Sequence, residues 1–392
     1  MKTLLLSSLL LITSLSAMSL DEVIDKSLAA NPSLASIEAR ITANTQAIDV
    51  ANQFSNPELA VTKNSLDASQ AMSQTVLTIK QKLPYYGKRD SRQKVTLAQD
   101  EVLHENLNAA KVALVAKIKT EAYTIWELRE LTDILDQYIL LTQKNIELYE
   151  SYTSVSDNQH MGIMKAELSL ADLKIQKSTL ASQLHSAYAR LSYLAAFEVQ
   201  KLAIDLAIDA KPDLKKLQEG LSGNPELLIK DKELKKESAK IEVADSNNYP
   251  DLNLMAGYAY RENFDNYFNI GLAMSLPMYG TEDAKEEEAR AQRLVVLSQK
   301  EDTKIAISSE LQVYYAQMLS AYEIFHIVQD DALPQVAHMF ELSNSSIATG
   351  GDLFKYIDVL FNKLSLEQKS ITAVSNYNKA DAQISKLAGA LK

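Results

Sequence analysis

Few side chains combine a type and a spacing that could act on a ligand. Asp352 and Asp358 come first: they flank Leu353–Ile357, directly after Gly350-Gly351. Gathered from several copies around an axis, such carboxylates would ring a pore, concentrate cations and raise one another's pKa. Asp352 is also suited to cap the helix that follows it, since Asp is a favoured N-cap. The two roles are compatible. Asp157 lies in the matching polar break of the first half. The histidines, His104, His160, His185, His326 and His338, show no His-Glu-x-x-His or other ligand spacing. Four sit on long helical stretches and His160 at a polar tip. Met161 and Met164 are too few for a soft-metal path, which needs clustered thioethers. No Gly-x-Ser-x-Gly elbow or placed carboxylate pair marks hydrolysis. The absence of cysteine removes thiolates, disulfides and Cys-ligated metals. The residues therefore predict no enzyme, no cofactor and no metal centre. A net charge of −11 argues against nucleic acid as a partner, because phosphate binding needs clustered Lys and Arg.

The elements that must position these residues follow from composition. The 392 residues are 46% apolar and 23% charged, which excludes a disordered chain. There are 10 glycines and 8 prolines, where average usage would give roughly 27 and 20. A chain so poor in breakers builds long helices rather than a many-turned sandwich. At the N-terminus, Lys2 precedes the apolar run Leu4–Leu15 and the small pair Ser16-Ala17. This is the layout of a secretory signal, with cleavage expected after Ala17 and Ser16 or Ser19 as the alternatives. No cysteine follows that could carry a lipid.

The sequence is written twice. Asn31-Pro32 recurs as Asn224-Pro225, Pro57-Glu58-Leu59 as Pro250-Asp251-Leu252, and Leu83-Pro84-Tyr85-Tyr86-Gly87 as Leu276-Pro277-Met278-Tyr279-Gly280. Ala189, Leu191 and Leu194 likewise match Ala382, Ile384 and Leu387. The spacing is constant, with some drift inside the long segments, and six of the eight prolines take part. The chain thus divides into a signal (1–17), a first repeat (18–196), a linker (197–211) and a second repeat (212–392).

Each repeat opens with short helices. Ser19-Leu20-Asp21-Glu22 reads as a capping box, Asn31-Pro32 separates two helices, and Pro212 is expected in a first helical turn. Two strands follow. In the second repeat Leu252, Leu254, Ala256, Tyr258 and Tyr260 alternate, as do Phe268, Ile270, Leu272, Met274 and Leu276. Period two with one apolar and one small or polar face is a β signature. Phe268, Ile270, Leu272 and Met274 are predicted to face lipid. The first-repeat copy is weaker, because Lys80-Gln81-Lys82 interrupts it. Long amphipathic helices come next, Lys88 to about Tyr152 in the first repeat, a rod of roughly 100 Å. Pro334 is expected to kink the matching rod of the second.

Strands of about ten residues suit a tilted membrane strand, yet four cannot close a barrel and lipid does not tolerate open edges. Two chains would give eight strands with a filled interior, three would give twelve and a lumen. Strands in lipid followed by long rods read as a conduit from the outer membrane into the periplasm.

At this point the sequence resembles a known family, the TolC-like outer membrane efflux proteins. The resemblance rests on the tandem halves, the two Leu-Pro-x-Tyr-Gly junctions, and the tip Ala348-Thr349-Gly350-Gly351-Asp352-Leu353 followed by Ile357-Asp358-Val359-Leu360. The first tip, Gly162-Ile163-Met164-Lys165-Ala166-Glu167, lacks the second tip's aspartate and is similar to the heavy-metal efflux branch. The resemblance implies a mostly helical homotrimer with a twelve-stranded membrane β-barrel and a periplasmic α-helical barrel. It also implies an outer membrane channel passively exporting small molecules or metal ions. Its partners would be a periplasmic adaptor (membrane fusion) protein and an inner-membrane pump of the RND type. Adaptor contact falls to the tips, at Asn158, His160, Gly162, Ser346, Gly350 and Gly351, and the constriction to Asp352 and Asp358. A type I protein-secretion conduit and a non-transport coiled-coil scaffold of the envelope are the alternatives.

Overall fold

Local capping chemistry sets the first elements. In this computed structural model, which describes residues 17–65, 67, 69, 70, 72–151, 157–347 and 352–391, a two-residue strand β1 (Met18–Ser19) leads into helix α1 (Leu20–Ala30). The Ser19 hydroxyl accepts the Glu22 amide and the Glu22 carboxylate accepts the Ser19 amide, the reciprocal box its sequence predicts. Asn31 ends α1, and Pro32 opens α2 (Pro32–Ala51). Strands β2 (Glu58–Lys63) and β3 (Thr75–Leu83) follow, then the 63-residue helix α3 (Lys88–Glu150) and α4 (Asp157–Ala195).

The same order of elements comes round again. β4 (Leu202–Ala203) falls within the segment read as a linker and pairs in parallel with β1. Helix α5 (Leu214–Glu219) is capped by Asp213, which accepts the Lys215 amide at 3.0 Å. Pro212 therefore lies before the helix and not in its first turn, because Asp213 supplies the cap. Asn224 caps α6 (Pro225–Ser246), with Pro225 at the first helical position. Then come β5 (Leu252–Tyr260), β6 (Tyr267–Met274), α7 (Thr281–His326), α8 (Leu333–Ile347) and α9 (Leu353–Leu387). Between α7 and α8 the chain makes a π-turn over Ile327–Ala332. Pro334 lacks an amide hydrogen, so helical continuity demands a local adjustment. Here the adjustment is the π-turn ahead of it.

Strands β2, β3, β5 and β6 form one antiparallel sheet in that order. β3 runs unbroken through Lys80-Gln81-Lys82, because its ladder to β5 is complete from Thr75↔Tyr260 to Leu83↔Leu252. β6 ends at Met274, two residues before the expected Leu276.

The chain separates into two compact units that cut across the two halves. One comprises 1–32, 111–221 and 308–392, the other 33–110 and 222–307. In the first unit α3 packs on α9. The Ser375 hydroxyl donates to the Tyr123 carbonyl at 3.2 Å and Lys379 pairs with Glu127 at 2.7 Å.

Candidate functional site

Two places deserve description: the sheet in one unit and the helical tips in the other. On the sheet, the register stacks like side chains into rows. Leu59, Ile79, Ala256 and Ile270 form one row, and Val61, Leu77, Tyr258 and Phe268 the next. Leu254 with Leu272, and Leu83 with Leu252 and Met274, extend this face. Ile270 is 83% exposed and Phe268 81%, with Leu272 and Met274 also exposed. A contiguous apolar face of this size is not carried by soluble monomers without a partner or a lipid phase. The opposite face is chiefly small or polar: Ala60, Thr78, Gly257 and Asn269 form one row, and Lys80 and Gly271 flank Met255 in another. A Cβ at Gly257 would fall 2.2 Å from Asn269 Oδ1, so a larger residue there would turn the Asn269 side chain away. Phe268, Ile270, Leu272 and Met274 thus lie together on the exposed apolar face of the sheet.

The sheet ends in aromatic and charged groups that sequence reasoning passed over. Gly87 and Gly280 take φ of +88° and +71°, which turn each strand end into its helix. Just before them Tyr86 and Tyr279 stand 92% and 94% exposed, the amphipathic rings that favour a membrane–water boundary. Tyr85 stacks on Tyr249 with ring centres 4.6 Å apart. Beneath them the buried Lys88 donates to the Tyr249 carbonyl at 2.7 Å and to Asp251 at 2.8 Å. Lys82 adds a second ion pair to Asp251 at 3.1 Å. Burial pushes the Asp251 carboxyl up, but Lys88, the Tyr85 amide and Lys82 together outweigh it and bring it down to about 2. The sequence signal was available: Lys80, Lys82, Lys88, Arg89, Arg92 and Lys94 crowd one junction of an otherwise acidic chain.

At the tips, α3, α4 and α9 close on a core that includes Leu135, Ile146, Tyr149, Ile163, Leu353 and Ile357. Gly162 lies in α4, where a Cβ would come 3.1 Å from the Leu353 Cβ, so the two helices approach closely at this point. Asp352 is the N-cap of α9, accepting the Phe354 amide at 3.0 Å and the Lys355 amide at 3.4 Å. Asp358 accepts a hydrogen bond from Lys165, whose ammonium also lies 3.4 Å from the Phe354 ring centre. The carboxylate predicted for a pore is thus matched by a cation within the same chain. Lys165 was missed, although it precedes Asp358 by the repeat spacing of 193 residues. His160 is exposed in the first turns of α4. Asn158 lies in α4 and Ser346 in α8, with side chains outside the described atoms, and Gly350 and Gly351 lie outside the described residues. Met161 and Met164 are exposed. Among the described residues no group of three or more His, Asp or Glu could hold a metal ion, and no helix is long and apolar enough to cross a membrane.

Residues 217–391 match the family described as outer membrane efflux protein. The second half of the chain is similar to the outer membrane efflux proteins. No curated protein matches the sequence. Solved structures share the fold over nearly the whole length. The open state of the MtrE outer membrane channel of Neisseria gonorrhoeae superposes with a TM-score of 0.78 at 15% identity, covering 95% of this chain and 89% of that one. VceC, an outer membrane protein of Vibrio cholerae, gives 0.77 at 14% identity, with 95% and 97% covered. The CmeC outer membrane channel of Campylobacter jejuni gives 0.77 at 12% identity, with 94% and 85% covered. The matched segment includes β5, β6, the π-turn and the Asp352 cap, so the best-alternating strands and the capped tip both fall inside it.

Proposed function

We propose that this protein is the outer membrane channel of a tripartite efflux system, a passive conduit through which small molecules or metal ions leave the periplasm. The observation that carries this reading is the apolar face of the sheet, exposed across all four strands, with a small and polar face behind it. Lipid is the medium that such a face fits, and an aqueous lumen suits the other side. A coiled-coil scaffold would have no use for that face.

The strands are 6, 9, 9 and 8 residues long, and β2 and β6 are edges within one chain. Open edges do not persist in lipid, so copies must close the sheet edge to edge. Three copies supply twelve strands and a lumen, and the long helices of three copies form the periplasmic barrel. The two halves of each chain are a tandem duplication. A cleaved signal exports the chain. Its tips, around Asn158–Gly162 and Ser346–Gly351, meet a periplasmic adaptor, which links it to an inner-membrane pump of the RND type. Native mass spectrometry in detergent tests the assembly, and conductance in planar bilayers tests the channel. Trimers that conduct are expected. A monodisperse, non-conducting monomer overturns the reading.

A further inference from the structure

We propose that the junction between β3 and α3 is a binding site for a phosphate group. A cavity of about 270 Å³ opens there, with Ser55, Lys82, Lys88, Arg92, Asn247 and Asp251 in its lining. All six belong to one compact unit of one chain, so the site needs no second copy and goes beyond the channel reading. The volume admits a phosphate group but falls short of the roughly 300–1,000 Å³ of pockets that enclose drug-sized ligands. The charge balance favours an anion, since three cations face one carboxylate. Asp251 is fully engaged, accepting Lys88, Lys82 and the Tyr85 amide. Lys88 gives two of its three hydrogens, to Asp251 and to the Tyr249 carbonyl. Lys82, with 55% of its side chain exposed, gives one. Arg92 donates from Nε to the Lys88 carbonyl at 3.3 Å, and its two Nη groups have no partner among the described residues. Glu242 of α6 is taken by Lys94 at 2.7 Å and adds nothing to neutralise the cavity. The start of α3 and the end of α6 both reach the cavity, so their end charges oppose one another and the side chains decide its sign.

The other junction of the same chain shows that the turn itself does not call for these cations. Gly280 takes a positive φ there, as Gly87 does here. At the repeat spacing of 193 residues, Lys82 becomes Ser275, Lys88 becomes Thr281 and Asp251 becomes Glu58. Arg92 alone keeps its charge, as Lys285, and Glu286-Glu287-Glu288 follow it. A strand end thus turns into its helix without the cluster. Lys88 is accounted for as the tie between α3 and Asp251, but that tie needs one cation and the cavity has three. Lys82 and Arg92 are the surplus, and Lys and Arg are the side chains that hold phosphate oxygens by charge-assisted hydrogen bonds. Lys82 pairs in register with Asn253 on the small face of the sheet. In the channel reading that face lines the lumen, so the phosphate belongs to a solute in transit. A lipid headgroup is the other source of the same chemistry, because the exposed Tyr86 next to the turn suits a membrane–water boundary.

The test titrates the delipidated full-length protein in neutral detergent with inorganic phosphate by calorimetry, at constant ionic strength with chloride as the reference anion. Saturable binding is expected, and Lys82→Gln with Arg92→Gln is expected to weaken it about tenfold or more, the worth of one charge-assisted hydrogen bond. Lys285→Gln, at the matching place in the other junction, is expected to bind as wild type does. Asn247→Asp keeps every cation and puts a second carboxylate in the cavity. It is expected to weaken binding too, and it serves where the double variant does not fold. In a second arm the protein is reconstituted in phosphatidylcholine vesicles containing phosphatidic acid, and the lipid it retains is read by native mass spectrometry. Phosphatidic acid kept by wild type and lost by the double variant, without binding of free phosphate, supports the site and assigns it to a headgroup. Phosphate bound equally by wild type and both variants overturns the site, as does wild type that holds neither phosphate nor phosphatidic acid. Equal weakening by Lys285→Gln overturns it as well, because the effect is then one of overall charge. A protein that is monomeric by mass yet binds phosphate at these residues upholds the site while overturning the trimeric channel.

Discussion

Asp251 is where one side chain has the largest calculable effect. Its carboxyl is held at about 2 against an ordinary 3.8, and with the side chain only 16% exposed the difference corresponds to about 2 kcal/mol. A depressed folded-state value stabilises above the unfolded value and is lost as pH falls through the folded one. The contribution is therefore complete above about pH 4 and fades towards pH 2. Asp251→Asn is expected to lower the thermal midpoint of the assembled protein at pH 7, with the gap to wild type closing as the pH approaches 2. A gap independent of pH would show that the carboxylate has no part in it. At the tips the geometry splits two aspartates that sequence alone grouped together. Asn caps a helix as well as Asp does, so Asp352→Asn changes charge and leaves α9 capped, whereas Asp352→Ala is expected to cost about 1 kcal/mol. If the second tips ring the pore, the double change Asp352→Asn with Asp358→Asn reduces cation selectivity in bilayer recordings without loss of trimer. Unchanged selectivity would leave Asp352 as a cap and Asp358 as the partner of Lys165.

Among the elements, β6 offers the clearest contrast between neighbouring positions. Leu272 is on the apolar face and Ala273 on the small one. Leu272→Arg is expected to cost roughly 2–4 kcal/mol at a lipid-facing site and to deplete assembled protein in membranes. Ala273→Arg is expected to assemble and alter conductance. Equal depletion would mean that the sheet faces are misassigned. This strand was legible because period two is strict from Phe268 to Met274, and period is what a sheet with one lipid face imposes. β3 was harder to read, since Lys80 and Lys82 fall on the small face and Gln81 alone breaks the apolar one, so three polar residues in a row hid an intact alternation. β1 and β4 pair over two residues each, too short for any period to show. The Lys165–Asp358 link was invisible to motif reading for another reason: its partners belong to different halves, and only the spacing between halves brings them together.

For the whole molecule, if copies close the sheet edge to edge, the open edges of β2 and β6 tie stability to association. A mutation that weakens the contact between copies is expected to lower the trimer fraction and the amount of protein in the membrane together, as judged by native mass spectrometry and heat-modifiable migration on gels. Trimer loss with undiminished membrane-inserted monomer would contradict the edge argument. The π-turn has a consequence at the same scale. One extra residue in a helix turns everything beyond it by about 100°. The buried Val336 and half-buried Phe340 accordingly match the buried Thr142 and Ile146 only if the spacing between halves lengthens by one residue past the turn. The drift in the sequence repeat is thus a phase change written into the helix. It sets the aim of α8 independently of the face that α7 presents, much as a coupling with an offset lets two gears be cut separately. In evolutionary terms the face of α8 is free to change while α7 behind it keeps its own packing.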